Sequence, residues 1–176
     1  MQSTGKKAQN RKELTMRIYV ASYAGYNDGI LDGRWHELPS ATLWEDIKES
    51  CVEGAEEFGI FDYEADFHIS EYDNIDELNE IAEQLDTLTE EEEEIITVLM
   101  EDGYSFEEAM DKKDDCIYHC YDNMADIAYY YYIECGLVSE DTPLVNYVDW
   151  DAVGRDMSFD GTFLDTPSGN IVEVIH

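Results

Sequence analysis

The first regular hydrophobic pattern begins near Met16, in the segment RIYVASYA, which is rich in β-branched and aromatic residues. The YNDG that follows is a turn signal, and ILDGRWHEL after it returns to apolar positions. A strand, a glycine-containing connection and a second strand are therefore predicted between residues 16 and 38. Further along, EFGIFDYEA has the composition of another strand.

A helix is predicted before that last strand, with Ser40 as its N-cap. Its apolar positions recur at helical spacing. They are Leu43, Ile47, Cys51 or Val52, Ala55 and Phe58. Residues 16–72 are therefore predicted to form a small N-terminal α/β domain with a short antiparallel sheet.

The middle of the chain shows the clearest helical periodicity. In the first of three predicted helices, carboxylates line one face and apolar residues the other. The apolar residues are Ile75, Leu78, Ile81 or Ala82, and Leu85. The second helix has Thr89 as its N-cap and Gly103 at its C-terminal end. Ser105 and Glu108 form the capping-box pattern of the third. We predict that residues 73–115 form an acidic helical domain.

The last part of the chain combines helical and strand patterns. DNMADIAYYYYIECG predicts a helix that Gly136 ends, and Pro143 opens a further predicted helix, LVNYVDWDAVGRDM. FDGTFLDTPSGNIVEVI then predicts two strands joined by a TPSG turn. Residues 116–176 are therefore predicted to form a C-terminal α+β domain.

Residues 1–15 have no apolar periodicity and contain Lys6, Lys7, Arg11 and Lys12, so we interpret them as a disordered basic tail or an extended start. The predicted fold class is α+β. We expect an elongated chain of three small domains, with short antiparallel sheets at both ends and an acidic helical middle.

Charge narrows the possible partners. The 176 residues include 43 Asp or Glu and 10 Lys or Arg, which gives a formal net charge of −33. Nucleic acid and anionic membranes repel such a protein, whereas a basic protein surface attracts it. Hydrophobic residues make up 44% of the chain, which is enough for folded cores. No apolar run approaches the ~20 residues that span a bilayer.

The spacing of the cysteines indicates the cellular compartment of the protein. Cys51, Cys116, Cys120 and Cys135 follow no disulfide-framework spacing, and no signal peptide is recognised before them. Reduced thiols in a cytoplasmic protein are therefore predicted.

The acids are concentrated in the predicted helical middle, where residues 73–94 include no Lys or Arg. Between Asp73 and Asp86, six carboxylates over thirteen steps of ~1.5 Å give one charge per ~3.3 Å, against ~3.4 Å for one DNA strand. Such a surface imitates DNA electrostatically. The alternative, acidity that only keeps a protein soluble in high salt, predicts a more even distribution. The candidate surface residues are Asp73, Asp76, Glu77, Glu80, Glu83, Asp86, Glu90, Glu91, Glu92, Glu93, Glu94, Glu101, Asp102, Glu107, Glu108, Asp111, Asp114 and Asp115.

The sequence gives weak support to a zinc site, a calcium site or a site that stacks nucleic acid bases. Cys116, His119 and Cys120 would place two ligands on one face of a helix, but structural zinc sites use four ligands and tighter pairs, so apolar helix positions are favoured. DYEADFHISEYD has Phe67 where a calcium loop needs glycine, and it lacks the bidentate Glu. The YYYY run has too few neighbouring cations to stack nucleic acid bases. No cofactor is predicted.

Three blocks of the sequence resemble the ArdA-type antirestriction proteins. They are RIYVASYAGYNDGILDGRWHEL, FDYEADFHISEYDNIDELNEIAE and GLVSEDTPLVNYVDWDAVGRDMSFDGTFLDTPSGNIVEV. The similarity extends from about Met16 to the C-terminus, and NYVDWDAVGRDM with the DGTF after it is the most specific part. The basic segment before Met16 departs from the family pattern.

The resemblance implies a function without catalysis. Members of this family are carried by plasmids, transposons and phages, and they inhibit type I restriction–modification enzymes in the bacterial cytoplasm by mimicking DNA on the specificity and methyltransferase subunits. It also implies three small domains, a homodimer and an antirestriction motif. The motif residues are Leu144, Asn146, Tyr147, Asp149, Trp150, Gly154, Arg155 and Asp156. Packing roles for Tyr147, Trp150 and Arg155 are an equal alternative. Two other functions stay open, namely an acidic inhibitor of another basic nucleic-acid-binding protein and a small metal-dependent enzyme.

Overall fold

The computed structural model describes residues 16–175, and the predicted basic tail lies outside them. Helices and two small antiparallel sheets confirm the α+β class. The described chain forms two compact units, the first ending at Asp86 and the second beginning at Thr87. The division into three domains stays a prediction.

The first unit is built on a three-stranded antiparallel sheet of order β2-β1-β3. Its elements are β1 Met16–Ser22, α1 Tyr23–Asn27, β2 Arg34–Leu38, α2 Leu43–Ser50, β3 Phe58–Glu64 and α3 Ile75–Leu85. The central strand β1 supplies Ile18 and Val20, which are fully buried, and α2 adds Ile47. Hydrophobic residues on the covered face of the sheet thus form the core of this unit.

Three details of this unit differ from the sequence prediction. The connection after β1 contains the short helix α1, which begins where the Ser22 side chain accepts a hydrogen bond from the Gly25 amide. The helix α2 begins after Thr42, so Ser40 is not its N-cap; the Ser40 amide donates instead to Asn79 Oδ1 at 2.8 Å. The helix also ends at Ser50, because the chain turns through Gly54 at a left-handed φ of 82° before β3.

Helix α3 matches its prediction. Asn74 caps it by accepting a hydrogen bond from the Asp76 amide, and Ile75, Leu78 and Ala82 are buried. The apolar stripe read from the sequence therefore faces the first unit, and the carboxylates of α3 face outward.

The second unit holds the other sheet, which is antiparallel with order β4-β6-β5. Its elements are α4 Glu90–Glu101, α5 Phe106–Lys112, a 3-10 turn Lys113–Asp115, β4 Cys116–His119, α6 Met124–Tyr129, a π-helical turn Tyr130–Glu134, a 3-10 turn Pro143–Tyr147, α7 Trp150–Asp160, β5 Thr162–Asp165 and β6 Ile171–Val174. The predicted hairpin of the last two strands is confirmed. Both predicted helix caps are also confirmed as capping boxes, at Thr89 and at Ser105.

Two predictions in this unit are wrong. CIYHC, taken as helical, is the strand β4, which pairs with β6. The predicted helix after Pro143 is interrupted: a 3-10 turn ends at Tyr147, Val148 is extended, and α7 starts only after Asp149. The interruption has a local cause, because the Asp149 side chain accepts a hydrogen bond from the Ala152 amide and so starts a new helix.

Candidate functional site: the acidic residues

The acids of α3 form an exposed row on the first unit. Asp76, Glu77, Glu80 and Glu83 are all exposed, and the helix contains no Lys or Arg. Asp76 has a structural contact as well, since the Trp44 indole N–H donates to its Oδ1. The carboxylates of Glu80 and Glu83 make no side-chain hydrogen bond or ion pair within residues 16–175.

In α4, Glu92 is held inside the second unit. Its Oε2 accepts from the Thr89 amide and hydroxyl, and its Oε1 lies 2.8 Å from Lys113 Nζ. The hydrogen bond from Lys113, followed by those from Thr89, lowers the pKa of Glu92 to about 2. Glu92 is therefore a structural anion, with its charge matched by Lys113.

Glu94 also points into the second unit. Its Oε2 accepts from the Tyr118 hydroxyl at 2.6 Å and from the Ser168 hydroxyl at 2.8 Å. Asn170 Nδ2 donates to both of those hydroxyls, which closes the network. Burial, then the hydrogen bond to Glu94, raises the pKa of Tyr118 to about 12. This network ties α4 to the strand β4 and to the turn between β5 and β6.

The acids near α5 also differ from one another in their contacts. Glu108 belongs to a capping box, because its carboxylate accepts from the Ser105 amide at 2.8 Å. Asp114 Oδ1 lies 3.2 Å from Lys113 Nζ, and Asp115 Oδ2 lies 3.5 Å from Lys112 Nζ. Both carboxylates nevertheless remain largely exposed. Surface pairs of this kind contribute little to stability.

The candidate acids thus divide into those whose carboxylates form hydrogen bonds or ion pairs and those whose carboxylates do not. All are exposed except Glu92, Glu93 and Glu94, which are half-buried. Those that make no side-chain hydrogen bond or ion pair within residues 16–175 are Glu80, Glu83, Asp86, Glu91, Glu101, Asp102, Glu107 and Asp111. We call these eight the unpaired acids. They come from both units.

Three residues of the predicted motif hold α7 in place. Gly154 is buried, and a Cβ there would lie 2.4 Å from the Met124 carbonyl oxygen, so only glycine allows α6 and α7 to approach this closely. Trp150 packs edge-on against Tyr129 with ring centroids 5.3 Å apart. Asp149 is the N-cap of α7. Of the three residues for which the sequence left a packing role open, Trp150 has such a role here, whereas Tyr147 and Arg155 are exposed.

The remaining motif residues face solvent. Leu144 is 70% exposed and Tyr147 is 85% exposed, and Asn146 between them is also exposed. Arg155 and Asp156 approach each other only loosely, with Nε and Oδ1 3.9 Å apart. These residues are therefore available to another molecule.

Sequence reasoning missed one buried polar group. His119 Nε2 lies 2.8 Å from Glu173 Oε2, and the Tyr131 hydroxyl donates to the same oxygen at 2.6 Å. Burial and the bond to Glu173 raise the pKa of Tyr131. The only available signal was Glu173 itself, a single acid in the apolar strand IVEV.

The structure separates the residues of CIYHC. In the strand β4, Cys116 and His119 lie on opposite faces, and Cys120 follows the strand. No group of three or more His, Cys, Asp or Glu side chains within residues 16–175 is arranged to hold a metal ion. In the same residues, no helix is both long and apolar enough to cross a membrane.

Comparison with known proteins adds one finding. The family described as antirestriction protein (ArdA) matches residues 18–172, which include the predicted motif and all the candidate surface acids. A comparison with curated proteins finds no match. Because the family match covers nearly the whole sequence, this chain belongs to the ArdA family of antirestriction proteins.

Proposed function

We propose that this protein blocks type I restriction–modification enzymes by occupying their DNA-binding groove in place of DNA. Carboxylates of the protein meet the Lys and Arg side chains of the specificity and methyltransferase subunits that otherwise contact phosphates. The protein protects incoming mobile DNA in the cytoplasm of a bacterial host by binding alone, and no catalytic step or cofactor is needed.

The observation that carries this proposal is the set of unpaired acids on a family member with a net charge of −33. On α3, the acids repeat along the helix without a cation between them. From Asp76 to Asp86, five carboxylates over ten steps of ~1.5 Å rise give one charge per ~3 Å, which is close to the ~3.4 Å phosphate spacing of one DNA strand. A basic groove that attracts DNA therefore attracts this surface too.

Association of two such surfaces releases counterions from both. Binding should therefore weaken steeply as salt rises, as binding of DNA does. An interface dominated by apolar contacts would show a much flatter dependence. The slope of log affinity against log salt thus separates the two kinds of interface.

We also propose that the protein acts as a homodimer that associates through its C-terminal region. The exposed apolar side chains of Leu137, Leu144, Tyr147 and Phe159 support this, because association of two copies through them would remove apolar surface from water. The motif residue Trp150 packs instead against Tyr129 within the unit. Sedimentation of a monomer at micromolar concentration would reject the dimer.

The decisive experiment is competition for a purified type I methyltransferase. Labelled duplex DNA is bound to the enzyme, and this protein is titrated in at low salt, with polyglutamate as the control for unspecific acidity. Full displacement by the protein at concentrations where polyglutamate has no effect is expected. Unchanged DNA binding at saturating protein would refute the proposal. Equal displacement of DNA from an unrelated basic protein would favour the general acidic inhibitor instead.

A further inference from the structure

The first unit carries an exposed group of aromatic side chains at its edge strand β3. Tyr26 and Phe61 stack, with ring centroids 5.2 Å apart and an interplanar angle of 27°. Tyr23 packs edge-on against Phe61 at 5.9 Å. Tyr26 is 62% exposed and Phe61 is 36% exposed. We call Tyr23, Tyr26 and Phe61 the aromatic cluster.

An irregularity in the sheet presents Phe61 to solvent. In the ladder between β1 and β3, Tyr19 pairs with Asp62 and Val20 pairs with Ile60. Phe61 is therefore the extra residue of a β-bulge, a feature that turns a side chain away from the regular pleat. Phe61 packs against Tyr23 and Tyr26 and lies outside the buried core of this unit.

The neighbouring backbone and carboxylates complete the cluster. A Cβ at Gly59 would lie 2.6 Å from the Tyr23 hydroxyl, so glycine lets Tyr23 lie across β3. That hydroxyl donates to Glu71 Oε1 at 3.1 Å. Burial, and then Glu71, raises the pKa of Tyr23 to about 12, with smaller effects of Tyr72 and Glu57. Carboxylates therefore border the rings.

Elsewhere in this unit, an aromatic ring and a neighbouring carboxylate together bind a cation. The Arg17 guanidinium lies 5.1 Å from the centroid of the Trp35 ring and 3.0 Å from a carboxylate oxygen of Glu64. The aromatic cluster with Glu71 has the same parts, an aromatic face beside a carboxylate. Within residues 16–175, however, no cation–π contact or ion pair involves it.

We propose that the aromatic cluster and Glu71 bind an arginine side chain of the basic protein that this chain inhibits, an inference that rests on the proposed function. A planar, weakly hydrated guanidinium stacks on an aromatic ring while its N–H groups reach a carboxylate, whereas a lysine ammonium is a strongly hydrated point charge. Nucleic acid bases would also stack, but the carboxylates repel their phosphates. The cluster thus supplies a site of fixed geometry within an otherwise diffuse electrostatic interface.

The first test uses small probes on the full chain. N-acetyl-arginine amide, the lysine analogue and the neutral citrulline analogue are titrated while the ring resonances of Tyr26 and Phe61 are followed by NMR, at about 0.3 M salt to screen diffuse attraction. Shifts with arginine that exceed those with lysine and citrulline are expected, and Phe61→Leu should abolish them. Equal shifts with all three probes would overturn the proposal.

The second test measures affinity for a type I methyltransferase by DNA competition. Tyr26→Leu and Phe61→Leu keep an apolar side chain but remove the π face, and each should weaken binding roughly 5- to 30-fold. Tyr26→Phe should retain affinity. The control is Leu31→Ala, which truncates a 92% exposed side chain of the same unit and should change affinity by less than about 2-fold.

The outcomes separate the two proposals. If the wild type displaces DNA and both leucine variants bind like the control, the arginine site is wrong and the proposed function stands. If arginine shifts the rings but the wild type does not displace DNA, the arginine site stands and the proposed function is wrong. A changed oligomeric state of Phe61→Leu in sedimentation would show that a second copy covers the cluster, which also overturns the arginine site.

Discussion

Replacing Glu80 and Glu83 by lysine should weaken inhibition while leaving the fold intact. Both residues are exposed on α3, and neither carboxylate makes a side-chain hydrogen bond or ion pair within residues 16–175. Asp76 on the same helix is not suitable for this purpose, because it accepts the indole N–H of Trp44 and its loss would loosen the contact with α2.

The size of the effect follows from the change in charge. Each reversal removes one attraction and adds one repulsion of similar size. At about 0.5 kcal/mol for each exposed interaction, the two reversals cost about 2 kcal/mol, or roughly 30-fold in Kd. The slope of log affinity against log salt should fall by about 2, because two carboxylates no longer act as phosphates. Glu80→Gln alone should cost well under about 1 kcal/mol.

Helix α3 itself should tolerate the change. The lysine that replaces Glu80 follows Asp76 by four residues and Glu77 by three. The lysine that replaces Glu83 precedes Asp86 by three residues and lies in the last turn of α3, where cations interact favourably with the helix dipole. Each such pair contributes about 0.2–0.5 kcal/mol, so the melting temperature should stay level or rise slightly.

The assay is displacement of labelled duplex from a type I methyltransferase, with a thermal melt of each variant. The matched control is Glu53→Lys with Glu56→Lys, which has the same spacing and net charge, in an exposed loop of the same unit. Undiminished inhibition by a folded α3 variant would show that α3 does not contact the enzyme. Equal losses in both variants would mean that only net charge matters.

Three predictions concern stability. Glu92→Gln should lower the melting temperature, because it removes the ion pair with Lys113 and weakens the cap of α4. The pKa of Glu92 falls from 4.5 to about 2, so its contribution is complete above pH 4.5 and is lost as the pH falls toward 2; melts of wild type and variant should therefore converge in acid. Asp32→Asn should lower the free energy of unfolding in urea by about 2–3 kcal/mol, since the buried carboxylate accepts three hydrogen bonds. Burial opposes the ionised form of Asp32, but these bonds lower its pKa overall, and the stabilisation should fade in acid. Gly154→Ala should cost about 1–3 kcal/mol in the same measurement, because its Cβ would meet the Met124 carbonyl.

The parts of the fold that sequence predicted are those set by neighbours along the chain. The cap at Thr89 and the cap at Ser105 each depend on a Glu three residues later, and both are confirmed. The apolar stripe of α3 is equally local, because helical periodicity alone places it. Such features need no knowledge of what the helix packs against.

Two of the errors arose where residues outside the local segment determine the structure. Four residues of CIYHC form a strand because β6, more than fifty residues further on, pairs with them. The helix α1 also depends on a residue outside its own segment. Ser22 caps this helix, and the Ser22 hydroxyl in turn donates a hydrogen bond to Asp32. Local propensity could not supply either contact.

The same limit applies to the acidic residues. Glu91 and Glu92 are adjacent and look alike in the sequence, yet only Glu92 reaches Lys113. Likewise, Glu94 accepts hydrogen bonds from Tyr118 and Ser168, which lie far along the chain. The sequence therefore identifies the acids of the two caps, whereas the structure is needed to separate the other acids that hold the fold together from the unpaired acids.

That separation bears on how a charged protein can imitate DNA. Phosphates occupy fixed positions along a duplex, so a competitor gains affinity when its carboxylates are already ordered, since less conformational entropy is lost on binding. In the second unit, the bonds of Glu92 to Thr89 and Lys113, and of Glu94 to Tyr118, fix α4 against its neighbours. The engaged acids thereby hold in place the helix from which Glu91 projects. A variant that breaks these bonds should lose inhibition even though every unpaired acid is retained.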